Sequence, residues 1–227
     1  MNATIYSRST IIGTADLQVG DESMGCVFGH FIPNDNYFKD IQKFVWEFWT
    51  TSNPDYEAWC GLRLNARLDN GYFLFPSGGY TIEDVQDLPD EPKRIDLAGV
   101  NLDILEYSTD KLLVPWSVIS IEQKTSFEDE LKREITPSRS LFDFLSPKKN
   151  HALVGADFSA LAKCEPNDDV LFEVAKDGEA NRLAVIHLTW TDDKGGPSNY
   201  FPATDFYLDF DDFAERRMKP DHLQWDA

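Results

Sequence analysis

Three polar residues in the last third of the sequence offer the best acid–base chemistry of the chain. Asp168 and Asp169 stand at the start of one predicted strand, and His187 lies in the next predicted strand. A histidine beside a carboxylate can act as a general acid or base near neutral pH. A histidine in the middle of a strand is also typical of a structural residue, and we favour that interpretation for His187. We therefore predict no catalytic residues, and an enzyme that uses these three side chains is the alternative hypothesis.

Other chemically active residue types do not combine into a recognised motif. The sequence has no nucleotide-binding, serine-hydrolase, zinc-protease or EF-hand motif, so we predict neither a metal site nor a cofactor. Adjacent acids could offer oxygen ligands to a cation, but none has the spacing of a known loop; they are Asp21-Glu22, Asp168-Asp169, Asp192-Asp193 and Asp211-Asp212. The odd number and wide spacing of the cysteines argue against disulfides and predict buried thiols at Cys26, Cys60 and Cys164.

The charge of the chain narrows the class of partner. The sequence of 227 residues contains 40 acidic and 21 basic residues, for a formal net charge of −19. Such a protein is repelled by nucleic acid phosphates and by anionic membranes, so we expect it to bind neither. A basic protein is the better partner, and an acidic surface that serves only solubility is the alternative. Without an apolar run long enough to span a bilayer or a signal region, we expect a cytoplasmic protein.

Two stretches are candidate contact surfaces for a basic partner. Residues 77–110 are predicted to be irregular, which is typical of loops that carry binding residues, and residues 83–110 contain nine acids against two bases. Its predicted contact residues are Asp84, Asp87, Asp90 and Glu91. On the predicted helix 36–50, Trp46 falls outside the core stripe beside Glu47. Trp46 either packs at the flank of the helix or, if exposed, anchors a protein partner.

The first half of the chain is predicted to be a sheet with one helix packed on it. Tyr37, Ile41, Phe44, Val45 and Phe48 follow the spacing of an amphipathic helix over residues 36–50. Alternating or apolar runs predict strands at 5–12, 26–32, 62–68 and 72–75, with a turn at 16–23. Asn70-Gly71 predicts a hairpin with a type I′ turn. Residues 112–121 predict a further strand, and a short helix is predicted to begin at Ser126.

A linker is predicted at residues 136–151 and contains His151. The second half of the chain, after this linker, is also predicted to contain both strands and a helix. Strands are predicted at 169–175 and 182–190, with a loop at 192–198. A last helix is predicted from Phe206 to Met218, stopped by Pro220, with His222 exposed beyond it.

The sequence therefore predicts an α+β protein of two small units, each a mostly antiparallel sheet with packed helices. The N-terminal unit is residues 1–135, built around helix 36–50, and the C-terminal unit is residues 152–227. The function that we expect is binding of a basic protein without catalysis, as an immunity-type inhibitor of a toxin or effector would do. The alternatives are the Asp/His enzyme and a regulatory module of a larger assembly.

Overall fold

A computed structural model describes residues 1–106, 111–136, 151–176, 181–190 and 202–226. The chain forms two compact units, Met1–Tyr107 and Ser108–Ala227. Each unit contains an antiparallel sheet together with helices, so the prediction of mixed helix and sheet content is confirmed.

The first unit is built on a seven-stranded antiparallel sheet in the order β5-β4-β1-β2-β3-β7-β6. Its strands are β1 Asn2–Ser7, β2 Thr10–Val19, β3 Val27–Pro33, β4 Leu64–Leu68, β5 Phe73–Leu74, β6 Pro76–Glu83 and β7 Lys93–Val100. The sheet curls so that its two edge strands, β5 and β6, approach each other. The Tyr80 hydroxyl of β6 accepts a hydrogen bond from the Ala66 N–H at 3.1 Å and donates one to the Leu74 carbonyl at 3.1 Å. The result is a nearly closed barrel.

The predicted strand at 5–12 proves to be a hairpin of β1 and β2. The chain reverses at Arg8, whose φ is 54° and whose N–H donates to the Leu62 and Arg63 carbonyls. No glycine, proline or asparagine marks this reversal in the sequence, so local turn chemistry could not reveal it. The predicted turn at 16–23 is also wrong in part, because β2 continues to Val19.

Three helices pack on the first sheet: α1 Asp35–Asp40, α2 Gln42–Thr50 and α3 Tyr56–Gly61. The predicted helix 36–50 is present but is broken at Ile41, which separates α1 from α2. Its core residues include Tyr37 and Val45, both fully buried, and the Phe48 ring lies 4.3 Å from that of Trp59 in α3. Helix α2 therefore packs against α3 through Phe48 and Trp59, and not against the sheet alone.

The Asn70-Gly71 hairpin is confirmed, but its predicted turn type is wrong. A type I′ turn needs positive φ at both residues, whereas Gly71 has φ 87° and Asn70 is not in that region. The Gly71 N–H donates to the Leu68 carbonyl at 2.9 Å, and the Leu68 N–H donates to the Tyr72 carbonyl at 2.9 Å. This is a three-residue loop, in which a turn is followed by a left-handed glycine.

Residues 77–110, predicted to be irregular, instead contain most of strand β6, all of the antiparallel strand β7 and their connecting loop. The register of β6 shifts between Pro76 and Gly79, and Gly79 has φ 90°. This bulge and the adjacent glycines hide the alternation by which a strand is recognised.

The second unit has a five-stranded antiparallel sheet in the order β12-β11-β10-β9-β8. Its strands are β8 Trp116–Val118, β9 Asp157–Cys164, β10 Asp169–Ala175, β11 Arg182–His187 and β12 Ala203–Tyr207. Strand β10 has its predicted bounds, and β11 lies inside the sheet as its apolar run predicts. The prediction missed β9 and β12, and the predicted strand at 112–121 shrinks to β8.

Helices of the second unit differ from prediction at their ends. Helix α4, Ile121–Ile135, begins at the Ser120 cap, where Gln123 completes a capping box, rather than at Ser126. The last helix comprises α5 Phe210–Phe213, a π-helical turn Ala214–Met218 and α6 Lys219–Trp225. Pro220 does not stop it: the helix continues through this residue, which lies just after the wider π-helical turn.

Helix α4 belongs to the second unit, although the sequence assigned it to the first. Its Glu128 carboxylate accepts the Ala160 N–H of β9 at 3.1 Å, and the Lys124 ammonium bonds to the Ser159 hydroxyl at 2.9 Å. The two units therefore divide before α4 and not at residues 136–151. Most of that predicted linker, the predicted loop at 192–198 and the pair Asp192-Asp193 lie outside the described residues.

Candidate functional site

The loop between β6 and β7, residues 85–92, presents carboxylates and apolar side chains together; we call it the acidic loop. Asp87, Asp90 and Glu91 are exposed, as predicted for contact residues. Val85 and Leu88 lie among them with exposed fractions of 55% and 50%. The loop contains no basic residue. It therefore combines a local negative field with apolar area that a partner could cover.

Asp84, the fourth predicted contact residue, is instead part of the interior. Its side chain is 0% exposed, and its carboxylate accepts hydrogen bonds from the Tyr37 hydroxyl at 2.8 Å and the Gln42 amide at 3.0 Å. The ammonium of Lys93 lies 3.3 Å away as a buried ion-pair partner. Asp84 cannot reach a partner protein, because helices α1 and α2 enclose it. The sequence could not separate Asp84 from its exposed neighbours, since its partners lie far from it along the chain.

Opposing effects act on the ionisation of this buried cluster. Burial by itself raises the pKa of Asp84, but hydrogen bonds from Gln42 and Tyr37, the nearby Trp46 indole and the charge of Lys93 lower it below its ordinary value of 3.8. Burial and the neighbouring carboxylate raise the pKa of Tyr37. At neutral pH Asp84 is therefore an ionised carboxylate beside a neutral Tyr37 phenol.

The same ion pair fixes the base of the acidic loop. Asp84 follows the last residue of β6 and Lys93 is the first residue of β7, so the pair closes the loop where the strands end. The Lys93 ammonium also donates to the Pro89 carbonyl at 3.1 Å, inside the loop. A buried contact thus orients the backbone that carries the exposed acids, in the way that a rigid scaffold positions a binding loop.

The exposed tryptophan beside this loop is Trp49 and not Trp46. Trp46 is half-buried, and its indole nitrogen is buried near Asp84. Glu47 is exposed and forms a 3.5 Å ion pair with Lys43. Trp49, on the same helix, is 50% exposed and its indole donates to the Ile82 carbonyl of β6 at 2.8 Å. Val45 and Phe48 form the buried side of α2, as their spacing predicts, and Trp49 lies at its edge.

The second unit brings together two of the three predicted acid–base residues. The Nδ1 atom of His187 lies 2.8 Å from Asp169 Oδ1, and the His187 side chain is 48% exposed. The other oxygen of Asp169 accepts from Arg217 and from the Asn167 amide. Asp168 points elsewhere and accepts the Trp190 indole N–H at 3.2 Å. The structure therefore forms an Asp169–His187 pair without Asp168.

Arg217 extends this pair into a network that ties three elements together. Its Nε atom donates to Asp221 at 2.8 Å, and the Trp116 indole of β8 donates to the same carboxylate at 2.9 Å. Burial, and then the charges of Asp221 and Asp169, raise the pKa of the nearby Cys164 thiol to about 11. Cys164 is thus a protonated thiol at neutral pH and not a nucleophile. The network links helix α6 and the π-helical turn to the sheet.

Several remaining predictions concern single residues. His151, predicted in a linker, is buried: its Nε2 bonds to the Pro202 carbonyl at 3.0 Å, and its Nδ1 accepts the Leu153 N–H at 3.3 Å. Of the cysteines, Cys164 is buried as predicted, but Cys60 is exposed and Cys26 is half-buried. The His222 side chain is partly covered and bonds to the Val114 carbonyl.

Within the described residues, no group of three or more His, Cys, Asp or Glu side chains is arranged to hold a metal ion. None of the described helices has both the length and the apolar composition of a membrane span. Comparison of the chain with protein families, with curated proteins and with solved structures finds no match.

Proposed function

We propose that the chain is a protein-binding protein whose acidic loop contacts a basic protein, as an immunity-type inhibitor contacts a toxin or effector. The observation that carries this proposal is the composition and support of the loop. The loop exposes three acids, Asp87, Asp90 and Glu91, and contains no basic residue. The buried Asp84–Lys93 ion pair fixes the base of this loop. We place this activity in the cytoplasm, where an immunity-type protein would meet an effector that has entered the cell.

Each part of the surface has a distinct energetic role. The carboxylates attract a basic partner and raise the association rate. Val85, Leu88 and Trp49 supply apolar area, and buried apolar and aromatic side chains give most of the lasting affinity. Trp49 is fixed to Ile82, which precedes Val85 by three residues, a chain length of about 10 Å. The pre-formed loop reduces the entropy that binding would otherwise cost.

The charge of the first unit supports the same partner chemistry. Residues 1–107 contain seven basic and 17 acidic residues, a net charge of −10. Two of these cations, Lys93 and Arg94, are already paired with Asp84 and Asp96. A partner with clustered Lys and Arg around an apolar side chain would complement this surface.

The test compares wild type with a loop variant that carries Asp87→Asn, Asp90→Asn and Glu91→Gln. Each bait captures proteins from an extract of the source cells, and a retained partner is purified for association kinetics at two salt concentrations. We expect association of the variant to slow by about tenfold at low salt, and its salt dependence to flatten. Dissociation should change less, because the apolar contacts remain.

A charge-matched control separates the loop from the total charge. The variant Glu22→Gln, Glu106→Gln, Asp157→Asn removes three exposed acids outside the acidic loop. It should retain the partner and its association rate. Equal effects of the two variants, or an association rate of wild type that salt does not change, would show that the acidic surface serves solubility and not recognition.

A second candidate function is general acid–base catalysis at the Asp169–His187 pair. The observation that favours it is an exposed imidazole oriented at 2.8 Å by a carboxylate that Arg217 and Asn167 hold in place. A screen of chromogenic esters and phosphoesters would compare wild type, His187→Gln and the control His30→Gln, which changes an exposed histidine of β3 in the first unit. Turnover that only His187→Gln removes would support catalysis; turnover equal in all three proteins would reject it.

A further inference from the structure

The second unit contains a pocket of about 200 Å³ at one end of its sheet, in a place that the acidic loop does not involve. Leu153, Val174 and Phe206 form apolar walls, and Lys176 and Arg182 are the charged residues among its lining. The pocket thus places three apolar side chains beside two cations in a chain whose net charge is −19.

Strand register explains why the two cations meet at this pocket. Val174 of β10 pairs directly with Arg182 of β11, so both side chains lie on one face of the sheet. Lys176 follows Val174 by two residues and continues the same face. Phe206 of β12 pairs with Ala184, the neighbour of Arg182 on that face. The lining therefore comes from three adjacent strands and not from a chance surface depression.

A buried histidine holds the remaining wall in place. Residues 151–156 form a compact turn in which the Val154 N–H donates to the His151 carbonyl and the Ala156 N–H donates to the Leu153 carbonyl. Burial lowers the pKa of His151, although its bond to the Pro202 carbonyl opposes this effect. The neutral ring can donate from Nε2 and accept at Nδ1 at once, as both of its contacts require. Leu153 is therefore fixed over the pocket.

We propose that this pocket binds a small monocarboxylate with an apolar body, such as an aromatic or short-chain organic acid. The Arg182 guanidinium matches the planar geometry of a carboxylate, and the Lys176 ammonium adds a second positive charge. The ring or chain of the acid would contact Leu153, Val174 and Phe206.

Size and charge restrict the ligand class. At about 30 Å³ for each water in the liquid, the pocket has room for roughly seven water-sized groups, enough for one ring or a short chain. A polyanion would be repelled more strongly than a monoanion by the net charge of the chain. An inorganic anion would leave the apolar walls uncovered.

The experiment measures binding to the full chain with benzoate and hexanoate as probes. Benzamide and hexanamide are neutral counterparts of the same shape, and acetate lacks the apolar body. Saturation-transfer NMR and thermal-shift titrations should show saturable binding of the two probes, with dissociation constants on the order of 1 mM or below. The amides and acetate should bind at least about tenfold more weakly.

Two variants locate the binding, and one controls for charge. Lys176→Gln removes one cation and should weaken benzoate binding by about threefold to tenfold. Ala152→Phe places a ring in the pocket without altering either cation and should abolish binding. Lys132→Gln removes an exposed lysine of α4 outside the pocket and should leave binding unchanged.

Three outcomes would overturn the proposal: no saturable binding of benzoate or hexanoate to wild type, equal binding of the acids and their amides, or unchanged binding by Ala152→Phe. The melting temperature of each unliganded variant shows whether it is folded. The proposal does not depend on the protein-binding function, because its ligand, pocket and variants all belong to the second unit.

Discussion

At the residue scale, Asp84 shows how an acid in an acidic segment can stabilise the fold instead of binding a partner. Its carboxylate is enclosed by Tyr37, Gln42 and Lys93, and the contact fixes the loop whose other acids remain exposed. A buried charge that loses its partner is strongly destabilising, whereas replacement of both partners by neutral groups can be nearly neutral. The two residues of the pair therefore act as a unit.

The first prediction concerns that unit. Asp84→Asn should lower the free energy of unfolding by about 3–5 kcal/mol, because the Lys93 ammonium would be left buried without its counter-charge. The double variant Asp84→Asn, Lys93→Met should recover most of this loss, since neither buried charge remains. Urea denaturation of the three proteins measures the difference. A double variant that is less stable than Asp84→Asn would mean that Lys93 is stabilised independently of Asp84.

The pH dependence of the same difference provides a second measurement. The pKa of Asp84 is lower in the folded protein than its ordinary value of 3.8, so the unfolded chain binds the proton more readily. The stabilisation is thus present above that value and is lost as the pH falls through the folded pKa. The stability gap between wild type and Asp84→Asn should be constant near neutral pH and should shrink below about pH 4.

At the element scale, the sequence predicted best where periodicity and local contacts decide the structure. Strand β10 has its predicted bounds, and strand β4 and the Asn70-Gly71 hairpin are present. The predictions were wrong where contacts between residues far apart in the sequence determine the structure. Arg8 turns the chain because its N–H bonds to residues more than fifty positions away, and β6 is hidden by its bulge.

The residues of the candidate site also differ in how well the sequence predicted them. Composition predicted the exposure of Asp87, Asp90 and Glu91, since a segment dense in charge lies on the surface. Composition could not predict the burial of Asp84, which depends on Tyr37 and Gln42. It also could not predict that Trp49 is half exposed while its indole bonds to the Ile82 carbonyl. Spacing alone suggested the Asp169–His187 pair, and strand register explains it, because the two residues are directly opposite each other.

The second prediction concerns the β4–β5 hairpin. Gly71→Val should destabilise the protein by about 1–3 kcal/mol, because a β-branched residue is strained at φ 87°. Gly71→Asn should cost less, since asparagine tolerates this backbone region better than other residues. Thermal melts of both variants test the order. Asp69→Ala alters the same loop at an exposed position and serves as the control; equal melting temperatures for all three variants would contradict the turn geometry.

At the scale of the whole molecule, acidity is shared by both units and does not mark one of them as the binding unit. Residues 1–107 have a net charge of −10, and residues 108–227 have a net charge of −9. What distinguishes the first unit is the arrangement of the acidic loop on a buried support. In the second unit, carboxylates such as Asp169 and Asp221 instead bond to Arg217 within the fold.

The last prediction concerns the division between the units. A fragment of residues 1–107 should fold cooperatively, because its seven-stranded sheet and the Tyr80 hydrogen bonds across that sheet all lie within these residues. A fragment of residues 1–135 should be no more stable, since the described partners of α4, Ser159 and Ala160, would be missing. Denaturation followed by tryptophan fluorescence, together with limited proteolysis, compares the two. If only the longer fragment folds, α4 belongs with the first sheet; if both fold equally and the longer one is cleaved after residue 107, the division before α4 is correct.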